Sequence, residues 1–324
     1  LDLNGTLIEV RLLDHNEPIF VSGLGEAPFH KFFEQYRGLS MSQPMVVGSP
    51  YGAGGGGDLV YLDGVTKATA SVRIAHESIL AARLAVAREK MQGVNTAPPA
   101  RPDPDYREPL DWAGLIAQGL IGRLTVTNAE VDALFAETQW ADDDPEAVSD
   151  PEGLYADLYV VDLGPPSLAQ AVLDPGTLAE LDAFRAVADT DEPLLLIEAG
   201  RHGLVSADFV RNTAPDLVGL EQDGLPVALR DADIFVGLHE DLPDALQDAT
   251  AMILRTDRRL GFDPSREWQM SLLATRAHGV FQPETGSVPL VLTHSTDPRF
   301  FLIEEPPAPL PAWAEALRNR ALDL

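Results

Sequence analysis

Seven consecutive residues, Asp63-Gly64-Val65-Thr66-Lys67-Ala68-Thr69, gather the means to hold a phosphate group. A short apolar run, residues 59–62, precedes them and a long amphipathic segment follows. A strand-to-helix turn of this kind offers backbone N–H groups that no helical carbonyl satisfies, at the positive end of the helix dipole. A bound phosphodiester keeps a negative charge and needs such donors. Ala68 and Ala70 are small enough for the backbone to approach an anion closely. Thr66 and Ser71 add hydroxyl donors, and Lys67, turned inward, adds a compensating charge. The same residues have a plainer use, because Thr66, Thr69 and Ser71 can all cap a helix. The heptamer by itself supports either role.

Other motifs carry less chemistry. Gly52-Ala53-Gly54-Gly55-Gly56-Gly57 has the letters of G-x-G-x-x-G, but a dinucleotide site needs a strand before it and a helix directly after. Here a proline precedes and a strand-like run follows, with no Lys-Ser/Thr pair for a P-loop, so the stretch reads as a mobile loop. His76-Glu77 opens like H-E-x-x-H, but Leu80 stands at the second ligand position. Asp142-Asp143-Asp144-Pro145-Glu146, with Asp150 and Glu152, lacks the spacing and central glycine of a calcium loop and reads as a solvated acidic loop. The seven histidines show no i, i+4 pair and read as surface or satisfied side chains. No G-x-S-x-G elbow marks a nucleophile.

The elements that must position the heptamer follow from periodicity. Residues 3–10 alternate around Asn4-Gly5, which predicts a hairpin arm. Phe29, Phe32, Phe33 and Tyr36 recur at helical spacing, with a break at Gly38. Residues 72–91 form the clearest helix, its apolar positions Val72, Ala75, Ile79, Ala82 and Val86 falling on a 3.6 period. Residues 95–109 hold five prolines and little to build a core, which predicts a linker. Beyond it, residues 194–199 turn back through Arg201-His202-Gly203, and residues 217–221 turn back through Gln222-Asp223-Gly224 into 225–229. Further strands are expected at 268–273, 289–293 and 300–304. Hairpins beside separate helices predict an α+β fold with mainly antiparallel sheets. The expected organisation is a first domain over residues 1–95, a linker over 96–110 and a second mixed α+β region over 111–324.

Composition bounds what such a chain can serve. The 324 residues carry Lys+Arg 23 against Asp+Glu 51, a formal net charge of −28, with only three lysines. Nucleic acid and anionic lipid surfaces need clustered basic residues, so both are excluded as partners. With no cysteine, the chain has no disulfide, thiolate zinc site or iron–sulfur ligand of its own. No apolar run approaches the length of a membrane helix. The start at Leu1 rather than Met reads as a piece of a longer protein, so a missing targeting segment says nothing of location.

The heptamer resembles the Asp-x-x-(Ser/Thr)-Gly-Ala-(Thr/Ser) sequence on which a flavin transferase attaches FMN through a phosphoester to the last hydroxyl. Asp63, Thr66, Ala68 and Thr69 match in place, and Lys67 departs from the usual glycine. Asp14-His15-Asn16-Glu17-Pro18 followed by Ser22-Gly23-Leu24-Gly25 looks like the hairpin segment that lies against the flavin in such domains, with an insertion. The Phe-rich helix, Tyr36-Arg37-Gly38 and the helix through His76-Glu77-Ser78 follow in the expected order. Extended over the whole chain, the sequence is similar to the periplasmic N-terminal region of the NosR/NirI family of membrane flavoproteins. Diffuse support comes from Pro165-Pro166-Ser167-Leu168, Gly200-Arg201-His202-Gly203, Phe262-Asp263-Pro264, Trp268 and Glu284-Thr285-Gly286, and residues 313–324 resemble the helix leading into that family's first membrane span.

The resemblance implies an FMN-binding domain with an antiparallel sheet and helices, carrying covalent FMN on Thr69. It implies that Thr66, Ala68, Asp63 and Ser71 shape the phosphate turn, Asp63 also being read by the transferase. Glu17 and Pro18 would border the ring, with His15 a further neighbour. The implied role is a periplasmic electron relay in an inner-membrane protein that supports denitrification, rather than a stand-alone catalyst. Its implied partners are the flavin transferase and a periplasmic copper reductase or that enzyme's maturation factors, with membrane and iron–sulfur segments downstream. The alternative is a regulatory or scaffolding module that keeps the fold without the flavin, and Lys67 is the residue that keeps it open.

Overall fold

The computed structural model describes residues 2, 6–13, 27–40, 43, 45–47, 60–65, 68–90, 98–141, 143–207, 209–279 and 284–304. The first unit is built on an aromatic cluster. Helix α1 (Ala27–Glu34) turns Phe29, Phe32 and Phe33 inward, and Tyr36 follows them into the core. The Phe32 and Tyr36 rings meet edge to face at 5.4 Å, a geometry favoured by the ring quadrupole. Gly38, at φ 83°, then reverses the chain. Strands β1 (Met45–Val47) and β2 (Val60–Leu62) pair side by side, and helix α2 (Thr69–Lys90) follows.

Two expectations for this unit are corrected. The β1–β2 pair is parallel rather than antiparallel, because the connection over residues 48–59 is long enough to return the chain in the same direction. The arm over residues 6–10 is held by the end of α1: Thr6 bridges Ser40, and Leu7 exchanges backbone hydrogen bonds with Gly38 and Leu39, while Asp2 N–H donates to Thr6 O at 2.9 Å across Asn4-Gly5. Burying Leu7 in the aromatic core draws the chain to the end of α1, and Leu3, Asn4 and Gly5 lie outside the described residues. On α2 the inward face runs through Val72, His76 and Arg83, while Ala82 and Val86 are exposed.

The second unit is layered. A five-stranded antiparallel sheet has the order β4 (Gly122–Thr127), β5 (Leu154–Asp162), β6 (Asp191–Glu198), β10 (Thr250–Asp257), β9 (Arg230–Asp231). One face carries helices α3 (Trp112–Ala117), α6 (Pro166–Val172) and α7 (Pro175–Val187), over a core of Val161, Leu163, Leu195, Ile197 and Ile253. The alternate residues Leu158, Val160, Leu194, Leu196 and Leu254 face a second, four-stranded sheet. Its order is β12 (Glu284–His294), β11 (Trp268–His278), β7 (Val218–Gln222), β8 (Leu225–Val227). Strands β5 and β6 are thus buried on both faces and read as continuous apolar runs.

The β7–β8 hairpin forms as expected, with Asp223 and Gly224 both at positive φ in its two-residue turn. Strand β6, by contrast, does not return through residues 201–203. It pairs with β5 and β10, and Arg201 and His202 hydrogen-bond back to Leu154 and Tyr155. Strands β11 and β12 extend well past the expected bounds and pair along their whole length. The expected last strand is a 3₁₀ turn, Pro298–Phe300, followed by β13 (Phe301–Leu302).

The proline-rich stretch does not run free. Strand β3 (Arg101–Pro102) pairs antiparallel with β13 to make a clasp, and Ala100 is buried beside it. Tyr106 sets its ring edge to face on Phe300 at 5.5 Å, and Glu108 N–H donates to Ser167 Oγ at 2.8 Å. Asp144 of the acidic loop is equally engaged. It N-caps helix α5 (Pro145–Ser149), accepts from Arg201, and lies 3.5 Å from buried Arg276. Helix α4 (Asn128–Phe135) completes the set before it, and α8 (Asp244–Gln247) lies between β9 and β10. Among the described residues no helix is long and apolar enough to cross a membrane, and no group of three candidate ligands could hold a metal ion. Residues 52–57 and 313–324 lie outside them.

Candidate functional site

The junction between β2 and α2 is held at two levels. At the surface, Gln35 just past α1 reaches across to the turn: its Nε2 donates to Asp63 O at 3.0 Å, and Asp63 N donates to its Oε1 at 2.7 Å. This two-point clamp fixes the backbone where β2 ends. Asp63 and Gly64 themselves are exposed. The chain then dips inward, burying Val65 and Ala68 in the aromatic core. Ala68 N–H donates to Val65 O at 3.0 Å, and Ala68 O accepts the first helical bond of α2 from Val72 N–H at 3.0 Å. Val72 is thus the first donor of the helical ladder, and the N–H groups of Thr69 and Ala70 lie ahead of it, as helix geometry requires.

Of the residues singled out from sequence, the structure brings Asp63, Ala68, Thr69 and Ser71 to this one strand–turn–helix junction. Thr69 is the first residue of the 22-residue helix α2, and Ser71 is half-buried in its first turn. Ala68 shapes the turn from beneath, its methyl packed in the core. Thr66 and Lys67 lie outside the described residues, as do His15, Glu17 and Pro18.

Below the turn is a buried polar chain that sequence reasoning did not assemble. His76 Nε2 lies 3.1 Å from Met45 O, and a carbonyl can only accept, so Nε2 carries the hydrogen. In the neutral ring Nδ1 is then the acceptor, and the Tyr36 hydroxyl donates to it at 2.7 Å. Burial pushes His76 down to about 4, with the Met45 carbonyl offsetting part of the effect and Arg83 adding to it. Burial likewise raises the Tyr36 hydroxyl above its ordinary value. The chain is therefore neutral near pH 7 and ties α1, β1 and α2 together.

Arg83 is the odd member. Its side chain is only 2% exposed, yet among the described residues no carboxylate pairs with it. Nη1 reaches Ser40 O and Met45 Sδ, each at 3.4 Å, and Nε finds no described partner. Burial lowers its proton affinity to about 10, so it remains a cation. The signal for His76 and Arg83 was their spacing from Val72 on the helix, which a count of apolar residues alone passes over.

Comparison with known proteins finds three curated relatives. The chain is 29% identical over 285 residues to regulatory protein NosR of Stutzerimonas stutzeri, covering 86% of this chain and 38% of that protein. Regulatory protein NosR of Pseudomonas aeruginosa matches at 25% over 290 residues, 86% of this chain and 39% of the relative. Protein NirI of Paracoccus denitrificans matches at 25% over 318 residues, 96% of this chain and 42% of the relative.

The chain is similar to NosR and NirI proteins over most of its length.

It spans about two fifths of the length of these curated relatives. Because the NirI match takes in 96% of the chain, the likeness to the NosR/NirI family extends through both the aromatic-core unit and the layered unit. No family model matches the chain, and no solved structure matches it.

Proposed function

We propose that this chain is the periplasmic, flavin-carrying part of a NosR/NirI membrane protein and relays electrons in support of denitrification. Thr69, at the first position of α2 directly after a clamped turn, is the observation that carries the reading. The junction fits a tethered phosphate. Its exposed turn is fixed by Gln35, the amides of Thr69 and Ala70 lie ahead of the first helical donor, Val72, and a long helix sets its dipole behind them. FMN, when bound, supplies one- and two-electron chemistry.

The chain's own residues hold and orient it. Thr69 Oγ1 forms the ester to the FMN phosphate, with loss of one water in the net balance. Asp63 presents a carboxylate to the flavin transferase, Thr66 and Ser71 add donors around the phosphate, and Ala68 keeps the turn tight. By the family resemblance, Glu17, Pro18 and His15 would border the ring. The tether suits a relay, which keeps its cofactor in a dilute compartment. Its electrons go to a periplasmic copper reductase of denitrification or to that enzyme's maturation factors.

Intact mass after co-expression with a flavin transferase tests this reading. A gain equal to FMN minus one water, lost in Thr69→Ala, supports it. No gain in the wild type, with a positive-control domain modified in parallel, overturns it. A second reading, a regulatory or scaffolding module without flavin, draws on two observations: the NosR relatives are named regulatory proteins, and Lys67 replaces the glycine of the attachment sequence. Reversible reduction of the loaded protein separates the two.

A further inference from the structure

The layered unit contains a buried acidic pair that the flavin reading does not use. Asp162 closes β5 and Glu192 is the second residue of β6, and they are 1% and 0% exposed. The β5–β6 ladder pairs Asp162 with Leu194, so two residues further on Gly164 comes opposite Glu192. A Cβ built on Gly164 would overlap Glu192 Oε1 and would lie 3.0 Å from Asp162 Oδ1. Both carboxyl groups thus converge on the small space that this glycine leaves open. Asp162 Oδ1 accepts from Gly164 N–H at 2.8 Å. Asp162 Oδ2 and both oxygens of Glu192 have no hydrogen bond to any described donor.

Every element packed around the pair can be checked for a compensating charge. From the 3₁₀ turn after β10, Arg258 Nη1 stands 3.8 Å from Glu192 Oε2. From α7, Arg185 gives Nη2 to the carbonyls of Leu163 and Gly164 and places Nη1 3.9 Å from Asp182. Thr256 stands opposite Glu192 on β10, the Thr296 hydroxyl faces Asp162, and β3 contributes only Pro102. Among the described residues Arg258, which also gives Nη2 to Asp189 O, is the one cation within ion-pair distance of the pair, and Arg185 is turned to carbonyls, so two adjacent buried negative charges would not be balanced. Carboxylate oxygens are acceptors only, so two of the three empty positions are filled once one group carries a proton and donates to the other.

We infer that Asp162 and Glu192 share one proton in the folded protein, and that this carboxyl–carboxylate bond locks the start of β6 to the end of β5 beneath the β3–β13 clasp. The pair is a proton-controlled latch, independent of any flavin. Burial raises both groups, Asp162 from 3.8 to about 6 and Glu192 well above 4.5, the latter raised further by the charge of Asp162. A group whose value is raised on folding contributes stability that is complete below its unfolded value and is lost as pH rises through the folded one. The latch is therefore closed in acid. It stays closed when Asp162 ionises, because Glu192 then keeps the remaining proton, and it opens as pH climbs through the higher value of Glu192, when two negative charges come to occupy one dry space.

Infrared difference spectroscopy and denaturant unfolding of the whole chain, from about pH 5 to about pH 9, test this. The wild type is expected to show a protonated-carboxyl band that fades with rising pH, and that band is lost in Glu192→Gln. Across the same window its unfolding constant rises up to about tenfold for each pH step, a dependence that Glu192→Gln and Asp162→Asn both flatten. Absence of the band, or superimposable pH profiles for the wild type and both variants, overturns the inference. So does stabilisation of the wild type by calcium that Glu192→Gln abolishes, since the pair would then hold a hard cation instead.

Discussion

Tyr36 and His76 meet through a 2.7 Å hydrogen bond in which the phenol donates to Nδ1, joining the end of α1 to the inner face of α2. Tyr36→Phe leaves that nitrogen buried without a donor, and the cost is about 1–3 kcal/mol. Urea unfolding of the wild type and the variant measures it. His76→Leu removes the middle of the chain, leaving both the Tyr36 hydroxyl and the Met45 carbonyl without this partner, and is expected to cost more than Tyr36→Phe.

The same histidine sets an acid limit on the first unit. Its folded value, about 4, lies below the ordinary 6.5, so the folded state binds fewer protons than the unfolded one between those values. Stability is complete above 6.5 and is lost as pH falls toward 4, by about 3 kcal/mol in all. Unfolding midpoints followed from pH 7 downward show this slope, and His76→Leu removes it.

Gln35→Ala opens the clamp on Asp63. Both hydrogen bonds are exposed, so the loss of stability is about 1 kcal/mol. Loading of FMN by the transferase is expected to fall more than stability does, because the turn is no longer held in one shape. Unchanged loading would mean that the clamp serves the fold alone.

Two glycines give opposite outcomes on substitution by alanine. At Gly164 the new methyl overlaps Glu192 Oε1 and comes within 2.6 Å of Pro102 Cγ, and the unit loses about 2 kcal/mol or more. At Gly176, in the first turn of α7, the nearest atom is Asp174 Oδ1 at 3.5 Å. There alanine is neutral or stabilising by up to about 1 kcal/mol. Thermal unfolding of the two variants separates them.

Asp144→Ala removes the N-cap of α5, the buried side of the Arg201 pair and a 3.5 Å contact to Arg276, which keeps Asp132 at 2.9 Å and the carbonyls of Trp140 and Ala141. The cost is about 2–3 kcal/mol. Burial opposes the ionised form of Asp144, but Arg201, the Ala147 amide and Arg276 hold its carboxyl below 3.8 all the same. Its contribution is therefore present above pH 3.8 and is lost only as pH falls below that.

What could be read from the sequence was local. The aromatic spacing of α1 and the Asp223-Gly224 turn each depend on a few neighbouring residues, and both formed where expected. The Asp63–Thr69 turn was visible for the same reason, as a strand followed by a helix. Helix α2 was legible as a helix, but its inward face was not, because His76 and Arg83 are buried polar residues that an apolar count assigns to solvent. Strands β5 and β10 escaped notice: β5 is buried on both faces, and β10 sends Ile253 to one core and Leu254 to the other, so both lose the alternation that marks a strand. The Gln35–Asp63 clamp, the Asp162–Glu192 pair and the proline-rich clasp each join distant parts of the chain, and no local pattern announces them.

The clasp between β3 and β13 makes residues 103–300 a closed loop whose two ends leave from the same point, side by side. A pull applied to both ends loads this ladder from its open side, so it unzips one hydrogen bond at a time, whereas the large sheets would have to slide as a whole. The clasp is then a mechanical fuse: it yields at small force and leaves the layered unit intact behind it. It also fixes the spacing between whatever adjoins the two ends, so the layered unit can turn about this point without changing that distance.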